Sequence, residues 1–220
     1  TDFSYLKLQP AGAQPRPDVK LPAQATLPLA SGLVRVLDDE HRAVGAWDPH
    51  VEPEVLQAGL RHMLLTRIFD ERMQRTQRQG RISFYMRSYG EEAVSVAQGM
   101  ALRPKDMLFP AYRNQGLYVV RGRPLVDLMC QLLSNTRDMC KGRQLPVMYH
   151  WAEGRIFSIS GNLTTQFPQA VGWAMAAAIK GEDDIAVSWI GEGSSAEADF
   201  HHAMLFASVY MAPVILNIVN

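Results

Sequence analysis

The stretch that most constrains the fold of this chain is its last segment, residues 184–220. An apolar run at residues 185–190 ends in Gly191-Glu192-Gly193, a helical pattern follows, and a second apolar run occupies residues 214–219. Strand, glycine turn, helix and strand in this order predict a βαβ unit with two parallel strands. Ligands of such sheets collect outside the carboxyl ends of the strands, where a helix N-terminus favours anions.

Glu192 follows the first predicted strand, at the place where a phosphate would approach. Its carboxylate would repel a phosphate unless a cation lies between the two groups. Because Mg²⁺ binds carboxylate, amide and phosphate oxygens, the pattern predicts a metal-bridged phosphate site. A nicotinamide-dinucleotide fold is the alternative, but Ala196 stands at its third glycine position and Glu192 would face the pyrophosphate without a cation.

Length and composition exclude several classes of protein. The 220 residues suffice for one sizeable α/β core, and 22 basic against 22 acidic side chains leave no basic footprint for nucleic acid or an anionic membrane. The apolar runs are too short for a membrane span, and the first residues lack the pattern of a secretory signal. The two cysteines form no disulfide framework, so we expect a reducing compartment.

The chain is expected to comprise two parts. Residues 1–50 are rich in Pro, Ala, Gln and Gly, which predicts an extended N-terminal arm, either docked on a partner or loose. Residues 51–220 alternate helical and apolar patterns, which predicts a doubly wound α/β domain with a mostly parallel sheet. Because a buried parallel strand is an unusual last element, we expect this domain to continue in a longer polypeptide.

Two helices can be placed from their patterns. The first is predicted from Glu52 to a stop at Gly80, with its arginines on a solvated face or at a subunit contact. One stripe of this helix is apolar and comprises Leu56, Leu60, Met63, Leu64 and Ile68. The second, at residues 167–180, is Ala-rich and apolar nearly all round, so we expect it to be buried.

Longer motifs give the chain a resemblance to a known family. They are RISFYM and YGEE at residues 81–92, AYRNQG at 111–116, KGRQLPV at 141–147, LTTQFPQAVG at 163–172, and the GEG triplet with a later Asn220. On these motifs the chain resembles the α subunits of the thiamine-diphosphate-dependent E1 components of 2-oxo acid dehydrogenase complexes, of the branched-chain type. The resemblance covers roughly residues 52–220 and implies the thiamine-diphosphate-binding fold.

The activity that the resemblance implies is that of 3-methyl-2-oxobutanoate dehydrogenase. A branched-chain 2-oxo acid is decarboxylated oxidatively, and its acyl group passes to the lipoyl group of E2. The implied partners are the E1 β subunit, in a heterotetramer, and the lipoyl domain of E2, in a bacterial cytosol or a mitochondrial matrix. The glutamate that activates the cofactor is implied to come from the β subunit and the catalytic histidine from beyond residue 220. No catalytic residue is therefore expected in this segment.

Two alternatives stay open within the same fold. One is an E1 α subunit that acts on pyruvate or acetoin. The other is a non-catalytic assembly subunit that keeps the fold and lacks the cofactor.

The resemblance also assigns the ligands of the diphosphate and the metal. The diphosphate is implied to contact Tyr112, Arg113, Gly193 and Ser194, and Gly191 is implied to be a further cofactor-binding residue. Glu192 is implied to ligate Mg²⁺, and Asn220 is the candidate amide ligand. The chain departs from the family here, because the second residue of an Asn pair generally binds the metal and Asn220 corresponds to the first.

The loop at residues 160–166 is implied to hold the rest of the cofactor. Gly161 would contact the pyrimidine, and Leu163 would be the apolar wedge that bends the cofactor. Ser160, Thr165 and Gln166 would supply oxygen ligands to potassium. The acyl pocket of the substrate is implied to include Phe84 and Tyr85, with Leu163 as a further candidate.

Overall fold

The computed structural model describes residues 9–18 and 20–220. Residue contacts divide the chain into two units, Thr1–Val55 and Leu56–Asn220. The described part of the first unit contains helix α1 (Ala23–Thr26), a 3₁₀ helix (Leu27–Ala30) and an isolated antiparallel bridge between Leu37 and Ala43. The predicted arm at residues 1–50 stays a prediction, and it falls in part on residues outside the described ranges.

The second unit is a mixed α/β structure built on a parallel sheet. Strands β1 (Met107–Phe109), β2 (Ala186–Gly191) and β3 (Val214–Val219) pair in the order β1-β2-β3. Both pairings are parallel, which confirms the predicted βαβ unit. The three strands lie in the sheet in the same order as in the chain, without a reversal of strand order. The doubly wound arrangement therefore stays a prediction.

Seven helices are described, α1 among them, and the longer ones follow the sequence patterns closely. The other six are α2 (Pro53–Arg78), α3 (Glu92–Ala101), α4 (Gln115–Val120), α5 (Leu125–Leu132), α6 (Gln166–Lys180) and α7 (Ala198–Val209). Within the described ranges, no helix combines the length and the apolar character that a membrane span requires.

The apolar stripe of α2 does not form its buried face. The stripe residues Leu56, Leu60, Leu64 and Ile68 are all exposed, Ile68 by 62%. The buried positions are instead Thr66, Phe69, Asp70 and Met73, which also follow a helical spacing. Periodicity predicts the helix, but it does not say which face packs against the rest of the chain.

Helix α6 is buried on one face only, so the expectation that this helix is buried holds for that face and not for the other. Phe167, Ala170 and Ala174 are fully buried, whereas Ile179 near its end is 83% exposed. Helix α7 packs against α6 and carries exposed Phe206. Small residues let α6 approach the sheet, and its outward face has no cover among the described residues.

A buried core joins the sheet to helices α3, α4 and α5. Trp189 of β2 and Tyr118 of α4 are fully buried in it. Gly99 and Gly116 let α3 and α4 pack closely, because a side chain at Gly116 would come within 2.9 Å of the Ser95 Cβ. This close packing places the turn before α4 beside the carboxyl end of β2.

Candidate cofactor-binding site

A cavity of about 290 Å³ opens at the carboxyl ends of β2 and β3. Strand β2 ends at Gly191, and a 3₁₀ helix (Glu192–Ala196) separates it from α7. The predicted site residues that line the cavity are Tyr112, Arg113, Gln166, Gly191, Glu192, Ser194 and Asn220. The structure thus brings together residues from three separate motifs, as the βαβ prediction requires.

The turn before α4 is fixed by Asn114, which is only 1% exposed. Its Oδ1 accepts a hydrogen bond from the Ala111 backbone N–H at 2.8 Å, and its Nδ2 donates to Ser95 Oγ at 3.0 Å. Both ends of the amide are therefore used to hold the turn in one conformation. Tyr112 and Arg113, which lie between, are presented to the cavity as a consequence.

Arg113 is the guanidinium that lines the cavity. It donates a hydrogen bond from Nη1 to the carbonyl oxygen of Arg87, and its Nε lies 3.8 Å from Glu91 Oε1. Its guanidinium carbon is 5.6 Å from the centre of the Tyr112 ring. These contacts leave part of the fork free, and such a fork binds phosphate oxygens in a bidentate manner.

Glu91 is a cavity residue that the sequence did not single out. Burial raises the pKa of its carboxyl above the usual value; Arg113 opposes this shift, and the negative charges of Glu92 and Glu192 add to it. Neighbouring Glu92 has a lowered pKa: burial acts in the opposite direction, but hydrogen bonds from Arg67 and the Gly90 N–H outweigh it. The two adjacent carboxyls therefore have opposite environments, and the one in the cavity disfavours its charge.

The loop at residues 160–166 is joined to the GEG turn. Thr164 is fully buried, and its Oγ1 donates a hydrogen bond to the Ser194 carbonyl oxygen at 2.6 Å. Its φ of 67° is unusual for a β-branched residue, so this contact holds a strained backbone in place. The loop cannot shift without loss of a contact to the turn that carries Ser194.

Gln166, which lines the cavity, carries a buried polar atom without a partner. Its Nε2 donates to the Trp189 carbonyl oxygen at 2.9 Å, whereas its buried Oε1 has no hydrogen-bond partner. A buried acceptor without a partner is uncommon in proteins, because leaving it unsatisfied is costly. The atom therefore retains unused capacity to accept a hydrogen bond or to coordinate a cation.

Several predicted site residues do not line this cavity. Of the loop residues, Leu163 is 48% exposed, Ser160 Oγ accepts from the Asn162 N–H, and Thr165 Oγ1 donates to the Asn162 carbonyl oxygen. The remaining ones are Gly161, Gly193, Phe84 and Tyr85. Their roles stay predictions.

Tyr85, which does not line the cavity, is held by a buried carboxylate. Its hydroxyl donates to Asp70 Oδ1 at 3.1 Å, and burial followed by the Asp70 charge raises its pKa well above the usual value. Asp70 has no exposed surface, and nothing in the sequence pattern distinguished it from the other acids of α2. Only its position on the face shared with Phe69 and Met73 could have indicated burial.

Comparison with known proteins identifies the family to which the chain is similar. The family model described as "Dehydrogenase E1 component" matches residues 60–220, and "2-oxoisovalerate dehydrogenase E1 alpha subunit N terminal" matches residues 1–24. Over its whole length the chain is 58% identical to the 2-oxoisovalerate dehydrogenase subunit alpha of Pseudomonas aeruginosa, of which it covers 54%.

Eukaryotic relatives are more distant. The mitochondrial 2-oxoisovalerate dehydrogenase subunit alpha of Bos taurus is 38% identical over 184 residues, which are 83% of this chain and 40% of that protein. Its Dictyostelium discoideum counterpart is 39% identical over 168 residues, 76% of this chain and 38% of that protein. The chain spans about half the length, or less, of these relatives.

Proposed function

Because the chain belongs to the dehydrogenase E1 component family, we propose that it forms the α-subunit part of a thiamine-diphosphate site in a branched-chain 2-oxo acid dehydrogenase. The family depends on thiamine diphosphate. The observation that carries the proposal is that Glu192 and Arg113, from separate motifs, line one cavity at the carboxyl ends of the strands. The name of the P. aeruginosa relative supports the branched-chain substrate.

The residues of the cavity fit a diphosphate bound through Mg²⁺. Arg113 offers a free part of its guanidinium to phosphate oxygens, and Ser194 lies in the turn that follows β2. Glu192 is the carboxylate ligand, and Asn220 at the end of β3 is the candidate amide ligand. Among the described residues, no group of three or more His, Cys, Asp or Glu side chains is placed to hold a metal ion, so the remaining ligands would be amide, carbonyl and diphosphate oxygens.

The unpartnered oxygen of Gln166 supports a second cation. Potassium binds neutral oxygens, and the Gln166 Oε1 is a buried acceptor with nothing to accept from. The Ser160 and Thr165 hydroxyls each make one contact within the same loop and retain acceptor capacity. A potassium ion bound by these three residues would fix the loop that carries Gly161 and Leu163.

The protein's part in this reaction is binding, orientation and charge placement. When bound, thiamine diphosphate supplies the nucleophilic and electron-accepting chemistry of decarboxylation. Of the three acyl-pocket candidates, Leu163 is 48% exposed, Phe84 37% and Tyr85 only 7%, so Leu163 and Phe84 are more accessible to a substrate than Tyr85. Catalytic acid–base groups are proposed to come from the β subunit and from the region of the α chain after residue 220.

Glu192→Gln tests the metal site in the full-length α subunit assembled with its β subunit. Thiamine-diphosphate affinity, followed by titration calorimetry with and without Mg²⁺, should fall at least about tenfold in the presence of the metal, because a charged ligand is lost. Glu182→Gln, an exposed glutamate at the opposite end of the domain, is the matched control. Equal affinity for Glu192→Gln and the control would contradict the site and favour a non-catalytic assembly subunit.

Substrate choice is tested on the same assembly with lipoyl domain as acceptor. We expect faster turnover of 4-methyl-2-oxopentanoate than of pyruvate. The opposite order would indicate the alternative activity on pyruvate or acetoin. The proposed partners, the E1 β subunit and the lipoyl domain of E2, and the proposed compartment, bacterial cytosol or mitochondrial matrix, follow from the same assignment.

A further inference from the structure

Asp70 is a fully buried carboxylate that accepts hydrogen bonds from one short segment of chain. Its Oδ1 accepts from the Tyr85 hydroxyl at 3.1 Å, the Ser88 N–H at 2.8 Å and the Ser88 Oγ at 3.3 Å. Its Oδ2 accepts from Arg87 Nε at 3.0 Å. A buried carboxylate is tolerated only when hydrogen bonds and an opposite charge replace its lost hydration. For Asp70, these described contacts all come from residues 85–88.

The segment that Asp70 holds is in turn a support for the cavity. The carbonyl oxygen of Arg87 accepts the hydrogen bond from Arg113 Nη1. Asp70 accepts hydrogen bonds from the Arg87 side chain, the adjacent Ser88 N–H and the Tyr85 hydroxyl. The peptide group that carries the Arg87 carbonyl is therefore fixed from both sides. An unbroken line of hydrogen bonds therefore runs from the interior of α2 to the guanidinium in the cavity.

We propose that Asp70 is a positioning residue for Arg113, which fixes the Arg87 carbonyl oxygen so that the Arg113 guanidinium faces the diphosphate. The inference rests on the proposed function, because it takes Arg113 as a diphosphate ligand. A guanidinium held by a fixed carbonyl loses less freedom when it binds a phosphate, and preorganisation of this kind raises affinity. Glu91 is too far from Arg113, at 3.8 Å, to provide that restraint by a hydrogen bond.

Asp70→Asn is the variant that breaks this line with the least change in shape. The amide oxygen can still accept from Tyr85 and Ser88, but the amide nitrogen then meets the Arg87 Nε–H, so a donor faces a donor. In the full-length α subunit assembled with its β subunit, thiamine-diphosphate affinity in saturating Mg²⁺ should weaken by about tenfold. The matched control is Asp106→Asn, which removes a buried carboxylate that is bonded to Arg103 before β1, away from the cavity. The control should leave cofactor affinity unchanged.

A double-mutant cycle separates positioning from a general effect on folding. If Asp70 acts through Arg113, Asp70→Asn should cause no further loss of affinity in an Arg113→Ala background. An unchanged affinity in Asp70→Asn alone, or an equal loss with and without Arg113, would overturn the inference. Arg113→Ala by itself tests the proposed function: if it does not weaken cofactor binding, the proposed diphosphate site and this inference both fail.

A milder variant covers the case in which Asp70→Asn does not assemble. Tyr85→Phe combined with Ser88→Ala removes both hydroxyl donors to Asp70 and leaves the Asp70–Arg87 pair and the Ser88 N–H in place. Its loss of affinity should be smaller than tenfold and should again vanish in the Arg113→Ala background. A loss that persists there would overturn the inference.

Discussion

Replacement of Gln98 by Met removes a polar link between α3 and the sheet. The Gln98 Oε1 accepts a hydrogen bond from the Trp189 indole N–H, and its Nε2 donates to Asn217 Oδ1 at 2.6 Å. Asn217 continues the link by donating from Nδ2 to the Ser188 carbonyl oxygen at 3.0 Å. The side chain of Gln98 thus joins α3 to both β2 and β3, and Met has nearly the same length without either polar group.

The cost follows from the burial of the groups left behind. Trp189 is fully buried, so its indole N–H would stay unpaired at a cost of about 1–3 kcal/mol. Asn217 is only partly buried and can recover some hydration, which adds about 1 kcal/mol. The free energy of unfolding should fall by about 2–4 kcal/mol in total, which corresponds to a decrease of roughly 5–10 °C in the thermal midpoint.

Thermal unfolding of the full-length protein, together with hydrogen exchange of the β3 amides, measures this effect. Gln79→Met serves as the control, because Gln79 is exposed at the end of α2 and should tolerate the same substitution within about 0.5 kcal/mol. The exchange of β3 amides should accelerate in Gln98→Met only, since the link to Asn217 is lost. If both variants unfold at the same temperature, the reasoning that this link holds the edge of the sheet is refuted.

Two further predictions concern the pH dependence of stability in the cofactor-free protein. Burial raises the pKa of Glu91, so the native state binds a proton more tightly than the unfolded chain and loses stability as pH rises through the raised pKa. Glu91→Gln should therefore raise the thermal midpoint near pH 7 and lose this advantage below about pH 4; an advantage equal at both pH values would contradict the cause. The pKa shift of Asp106 has the opposite sign. Burial acts to raise the pKa, but hydrogen bonds from Arg103 hold it below the usual value. Asp106→Asn should lower the stability near pH 7 by about 2 kcal/mol, and the difference should narrow as pH falls below about 4, which an acid titration of the thermal midpoint would show.

The helices and strands could be predicted from local sequence patterns, because glycine and proline residues mark where several of them begin or end. The apolar run before Gly191 and the one after Pro213 became β2 and β3, and α2 ends two residues before Gly80. The burial of α2 was not predictable, because two of its faces follow a helical spacing. The face with Phe69 packs inward, and the one with Leu60 is exposed.

The candidate site was also predictable only in part: some of its residues were predicted from the sequence and others were missed. Glu192 and Arg113 belong to motifs with unusual chemistry, and both lie at the predicted edge of the sheet. Glu91 and Asn114 were missed, because an acid at a helix start and an Asn in a turn have common structural explanations. Asp70 was missed for a different reason: its role depends on contacts with residues 85–88, which lie on another element and leave no local signal.

The charges of the cavity explain why a cation is part of the proposed site. Among the described residues that line it, Glu91 and Glu192 are acidic, and Arg113 is the basic one. A diphosphate brought into this cavity alone would meet more negative than positive charge, and the low local dielectric would enlarge the repulsion. Mg²⁺ reverses the balance at Glu192, and burial disfavours the charged form of the second carboxyl, Glu91, whose pKa is raised. Arg113 then attracts the diphosphate without a competing ion pair at hydrogen-bond distance, since its contact to Glu91 is 3.8 Å and its firm contact is to a neutral carbonyl. The arrangement therefore favours the metal and the diphosphate together over either one alone.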